Sequence, residues 1–160
     1  MRIISRPLAA PLPTASVDAQ LRSTSLYYCV SQGYASDVER LLGACGGGDA
    51  GAMVASGLVN APLEEGETLL HVAADAGLEA IASLLLGAGA RVNAVEEVLG
   101  RTPLHYAVAQ GHWAAATLLL ASGADAGALD KGGLSALAVL QEEAGSAEPP
   151  PQDLLLRLQL

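Results

Sequence analysis

Three histidines and a run of carboxylates are the residues of this 160-residue chain whose types could do chemistry. His71, His105 and His112 offer imidazoles for proton transfer or metal ligation. Glu64, Glu65 and Glu67 offer carboxylates for general acid–base work, and Cys29 and Cys45 offer thiols. Spacing argues against each use. A zinc site wants His or Cys at short paired intervals, and neither His-x-x-x-His nor Cys-x-x-Cys occurs. A carboxylate becomes an acid–base catalyst when a cleft moves its pKa, whereas a Glu run interrupted by Gly66 reads as a solvated turn. Gly46-Gly47-Gly48 lacks the Lys-Ser/Thr that completes a phosphate loop, and Gly-x-Ser-x-Gly is absent. No catalytic constellation emerges, and nothing calls for a metal or cofactor.

The elements that carry these residues repeat. Residues 66–93 read GETLLHVAADAGLEAIASLLLGAGARVN, and residues 100–126 read GRTPLHYAVAQGHWAAATLLLASGADA. Gly66 pairs with Gly100, Thr68 with Thr102, His71 with His105, Gly77 with Gly111 and Gly89 with Gly123, at a constant offset of 34. Self-similarity at such a period means stacked supersecondary units, none of which can bury its apolar face alone. Stacks of this kind use their surface for contact, which points to a binding protein rather than an enzyme.

Thr102-Pro103-Leu104-His105, Gly111-His112, Leu118-Leu119-Leu120 and Gly123-Ala124-Asp125 carry a resemblance to the ankyrin repeat family. Its unit is about 33 residues long, a β-turn plus two helices, with a T-P-L-H-x-A signature. The resemblance implies an all-α repeat solenoid, a stack of helix-turn-helix units with β-hairpin or turn tips. It also implies structural roles for Thr68, His71, Thr102, His105 and His112: the first four hold turns, and His112 begins a second helix.

The flanks extend the array to about four units. Downstream, Ser135-Ala136-Leu137 stands for Thr-Pro-Leu, with Ala138 in the His position. Upstream, residues 26–30, Gly33-Tyr34, Val38, Leu41 and Leu42 match a two-helix half, followed by a Gly-rich insert at 44–57. The expected organisation is a leader at 1–23, an array at 24–145 and an end segment at 146–160. The array divides into 24–60, 61–94, 95–128 and 129–145. The leader has Arg2, Arg6 and Arg22 with Pro7, Pro11 and Pro13, which exclude a regular helix there. It reads as a flexible leader, an arm along a partner, or an organellar targeting peptide. The end combines Pro149-Pro150-Pro151 with a Leu-rich helix. That helix either closes the stack or docks in a partner's groove.

Charge then describes the surface. The net charge is −9, and because residues 1–25 hold three Arg against one Asp, residues 26–160 carry −11. Carried over from the family by position, the partner-facing residues are Glu64, Glu65, Glu67, Asp75, Glu96, Glu97, Val98, Arg101, Gln110, Asp130, Lys131, Glu142 and Glu143. They make an acidic strip on the inner helices and tips. The second tip, Val95–Arg101, is one residue longer than the repeat requires and brings two exposed apolar candidates. The expected partner is another protein with a basic or apolar patch. The acids would repel phosphate backbones, so the repeats should not bind nucleic acid. No apolar run approaches the ~18 residues of a membrane span, and one Arg in the Leu-rich end makes membrane-surface contact a poor fit. The runner-up function is a regulatory subunit or inhibitor accompanying an enzyme on another chain. Two cysteines make no disulfide framework, and Cys45 reads as exposed, which suits a reducing, intracellular compartment. Cytoplasm is the expected location, with organelle import through the leader as the alternative.

Overall fold

A computed structural model describes residues 19–43, 57–143 and 150–158. Most of the expected leader, the bulk of the Gly-rich insert with Cys45, and the start of the Pro-rich break lie outside the described residues. The helices are α1 (Ala19–Ser31), α2 (Ala35–Gly43), α3 (Leu69–Asp75), α4 (Glu79–Gly87), α5 (Pro103–Ala109), α6 (Trp113–Ala121), α7 (Ala136–Glu143) and α8 (Gln152–Leu158). Helix α1 begins inside the segment read as leader. Past Pro13 nothing forbids it, and Ala19-Gln20-Leu21-Arg22 are good helix formers.

The chain punctuates its helices in the same way each time. In α3 the Gly77 N–H donates to the Ala74 carbonyl and the Leu78 N–H to the Ala73 carbonyl, at 3.2 and 2.8 Å. Gly111 and His112 repeat this on Val108 and Ala107, at 3.1 and 2.8 Å. This is the Schellman ending, which needs a left-handed residue; Gly77 sits at φ +65°. The site also has no room for a side chain, because a Cβ on Gly77 would lie 2.6 Å from the His112 ring. With so short a turn the second helix must run back along the first.

Two layers result. Helices α1, α3, α5 and α7 pack in succession to form one layer, and α2, α4, α6 and α8 form the other. Each consecutive pair also packs internally, so α8 lies against both α6 and α7 and buries Leu154 and Leu158. Between the layers runs one core of Leu, Val, Ile and Ala, from Leu26 and Val30 through Leu70, Ala73, Leu104, Ala107 and Leu119 to Leu140. Alanine at the contacts lets short helices approach closely. The tips are turns: among the described residues the β structure is a single antiparallel bridge, Leu129 with Ser135.

Asparagines stitch the far edge of the stack. The Asn60 side chain donates to the Gly89 carbonyl at 2.9 Å and accepts from the Arg91 N–H at 2.7 Å. Asn93 does the same one unit later, with the Gly123 carbonyl and the Asp125 N–H.

Candidate interaction surface

The histidines are used up inside the stack. Thr68 and Thr102 cap α3 and α5, each hydroxyl meeting the backbone of the His three residues on. The His71 Nδ1 accepts the Thr68 N–H at 3.0 Å, and the His105 Nδ1 accepts the Thr102 N–H at 3.2 Å. An imidazole thus takes the part that Glu usually plays in a capping box. Since Nδ1 must accept, the proton sits on Nε2. That Nε2–H then points into the next unit, to the Arg101 carbonyl at 3.1 Å from His71 and the Leu134 carbonyl at 3.2 Å from His105. Both rings are buried, and burial holds their pKa values below the ordinary 6.5 despite the carbonyl partners. They are neutral ties between units. His112 stands before α6 with its ring against Gly77.

The second tip departs from the surface expected of it. Glu96 is 2% exposed and is not a partner-facing acid. Its Oε1 accepts the N–H of Leu99 at 2.7 Å and of Arg101 at 2.9 Å, and its Oε2 accepts the N–H of Val98. The physical reason is the extra residue. A longer tip leaves backbone amides without ladder partners, and one carboxylate turned inward satisfies them together. Burial works to raise the Glu96 pKa, but the Arg101, Val98 and Leu99 amides override it and hold the carboxyl below 4.5. Arg101 and Asp130 also leave the expected surface. Their side chains are mostly buried, with Arg101 Nε 3.6 Å from Asp130 Oδ2, so the pair joins the second tip to the third. Asp130 Oδ1 further accepts the Gly132 and Leu134 N–H groups at 2.8 and 2.9 Å. The Leu134 amide leads the effects that keep its carboxyl below the usual range.

What faces solvent is narrower than the strip expected. Glu65, Asp75, Glu97, Gln110 and Lys131 are exposed. Gln110 Nε2 donates to Asp75 Oδ1 at 2.9 Å, linking the inner faces of two units. Glu67 is half-buried and bonded to the Tyr106 hydroxyl; burial raises the Glu67 pKa, and burial with Glu96 and Glu67 raises that of Tyr106. Glu64 lies in a short 3-10 turn before α3, and Glu142 and Glu143 end α7; their side chains lie outside the described residues. Val98 is 55% exposed; Val95 and Leu99 on the same tip are 58 and 46% exposed, and Leu129 on the third tip is 63% exposed.

The tips are bonded to one another. The Glu97 N–H donates to the Glu65 carbonyl at 2.9 Å, and the Lys131 N–H donates to the Leu99 carbonyl at 2.8 Å. Lys131 Nζ also donates to the Glu97 carbonyl. Glu65 holds φ +69°, alone among the described non-glycine residues in the left-handed region, a conformation that costs an L-residue about 1–2 kcal/mol. Among the described residues no three His, Cys, Asp or Glu are grouped to hold a metal ion, and no helix is long and apolar enough to cross a membrane. The tips and the first layer of helices present Glu65, Asp75, Glu97, Gln110 and Lys131, with Val95, Val98, Leu99 and Leu129, to solvent.

The family model described as "Ankyrin repeats (3 copies)" matches residues 26–130, which is more than half of the chain. No curated protein matches it.

Proposed function

We infer what this protein does from one premise: the chain belongs to the ankyrin repeat family. Ankyrin repeats mediate protein–protein interaction. The chain is a non-catalytic adaptor or structural subunit, and it holds a protein partner on the tips and the acidic inner helix face. The observation that carries this reading is how the polar side chains divide. His71, His105, Arg101 and Asp130 are consumed in joining units and Glu96 in bracing its own tip, while Glu65, Asp75, Glu97 and Lys131 are left exposed. A surface of that sign speeds encounter with a basic patch and repels nucleic-acid backbones. The free, half-buried Cys29 suits a reducing, intracellular setting.

The test is quantitative cross-linking of the intact tagged chain in its own cell extract. It is compared with the variant carrying Glu65→Lys, Asp75→Lys and Glu97→Lys. Loss of one and the same protein from the variant, with an unchanged melting temperature, supports the reading. A partner that binds both equally moves the site elsewhere on the chain. Recovery of an enzyme whose activity changes on binding makes the chain a regulatory subunit.

A further inference from the structure

We infer that the second tip is a preformed anchor for a partner segment carrying large apolar side chains beside Lys or Arg. Val95, Val98, Leu99 and Leu129 receive the apolar groups, and Glu65 and Glu97 receive the cation. This deepens the interaction reading above and rests on it. Singly exposed apolar residues are ordinary on a protein surface, but here four aliphatic chains at 46–63% exposure share two adjoining tips. The backbone bond from Lys131 to Leu99 ties those tips together at 2.8 Å.

The ridge is held stiff from beneath. The Glu96 carboxylate binds the Val98, Leu99 and Arg101 amides, so the backbone under the apolar side chains is fixed before any partner arrives. A site that needs no ordering loses less affinity to entropy on binding. The charge around it is also sorted. Glu97 directly precedes Val98, and its amide is bonded to the Glu65 carbonyl. Of the nearby cations, Arg101 faces Asp130, while Lys131, turned to the neutral Glu97 carbonyl, keeps its charge and is outnumbered by Glu65 and Glu97. Two outward carboxylates therefore flank an apolar ridge on a chain of net charge −9. That complements a cation next to an apolar side chain, and it opposes an acidic segment.

The experiment uses the full chain and fluorescent short peptides, read by anisotropy. One set carries Leu or Phe flanked by Lys and Arg, a second carries the same apolar residues flanked by Asp and Glu, and a third carries Lys and Arg with Ser. Binding of the first set at least about tenfold tighter than the others, lost about tenfold in Val98→Ser/Leu99→Ser with an unchanged melt, supports the anchor. Glu96→Gln leaves the apolar side chains in place and should also weaken binding by loosening their support. Equal binding by wild type and Val98→Ser/Leu99→Ser overturns the anchor while leaving an interaction module that uses its inner helices. No preference among the sets overturns it as well. Self-association of the chain without peptide, abolished by the same pair, makes the occupant a second copy and overturns this partner assignment. So does binding to anionic vesicles that the pair abolishes. The cross-linking comparison in extract judges the interaction reading separately.

Discussion

His71 Nε2 lies 3.1 Å from the carbonyl oxygen of Arg101, a residue thirty positions further along the chain, so one ring caps its own helix and grips the next unit. His105 holds Leu134 in the same way. Removing the ring leaves a buried Thr amide without its partner and takes one of two donors from the carbonyl, which keeps the Glu96 N–H at Arg101 and the Asp130 N–H at Leu134. His71→Ala should cost about 2–4 kcal/mol, combining those losses with the cavity. His105→Ala should match it, and His112→Ala should cost less. Urea denaturation with a single, unchanged slope checks the series.

Burial depresses the pKa of both rings, and the sign of the resulting pH effect follows. Near pH 6.5 the unfolded chain takes up protons that folded His71 and His105 resist. The unfolded state binds more protons, so stability falls as pH drops below about 6.5. Glu96 and Asp130, both depressed, extend the loss below their ordinary values of 4.5 and 3.8. Glu67, raised by burial, acts in the opposite direction, losing stability as pH rises through its own pKa. Urea midpoints between pH 7.5 and 2.5 should fall in two stages. Replacing both histidines should erase the first.

Much of the stack was legible in the sequence because its punctuation is local. Gly77 and Gly111, Thr68 and Thr102, and His71 and His105 each act within a few residues of themselves, so their spacing announces the helices. The surface was harder to read, because it depends on which way a side chain turns. Glu96 and Glu97 are adjacent and alike in the sequence. Only the geometry of the lengthened tip, with amides to satisfy, sends one inward and leaves the other in water. Arg101 and Asp130 were expected on the surface for the same reason, and the stacking of one tip on the next pairs them below it. The Asn60 and Asn93 stitches recur 33 residues apart. That spacing, matching the repeat, is a signal that the sequence itself carries.

Glu96 accounts for the second tip, so its neighbours should respond unequally to the same change. Glu96→Ala leaves three amides unpaired and should cost about 2–3 kcal/mol, with Glu96→Gln intermediate. Glu97→Ala, at an exposed position, should stay within about 0.5 kcal/mol of wild type. Hydrogen exchange locates the cause: the Val98, Leu99 and Arg101 amides, bonded to Glu96, should be protected in wild type and should open in Glu96→Ala before the core does. Loss of protection in α3 or α5 instead would mean that the carboxylate supports more than its tip.

Glu65 and Gly66 both hold positive φ, at +69° and +77°. Asn-Gly supplies that pair of conformations most easily. Glu65→Asn should therefore raise stability by about 0.5–1 kcal/mol through relief of strain. The same change removes one of the two outward carboxylates beside the ridge, so affinity for a basic partner should fall as the melting temperature rises. A variant that gained stability and kept its affinity would show the Glu65 charge to be idle.

Salt separates the two contributions to binding. Attraction between exposed charges is screened beyond about 10 Å at 0.1 M salt, whereas apolar burial is not. Affinity for a basic, apolar segment should fall steeply as salt first rises and then level off at a residual set by the ridge. Glu65→Lys/Glu97→Lys should remove the slope, and Val98→Ser/Leu99→Ser should lower the plateau and keep the slope. A flat curve for wild type would discard the acids and leave the apolar tips. A decline to nothing at high salt would discard the ridge. The two pairs of substitutions act on neighbouring side chains, so their effects need not add, and the shape of each curve, rather than its absolute affinity, is the quantity to compare.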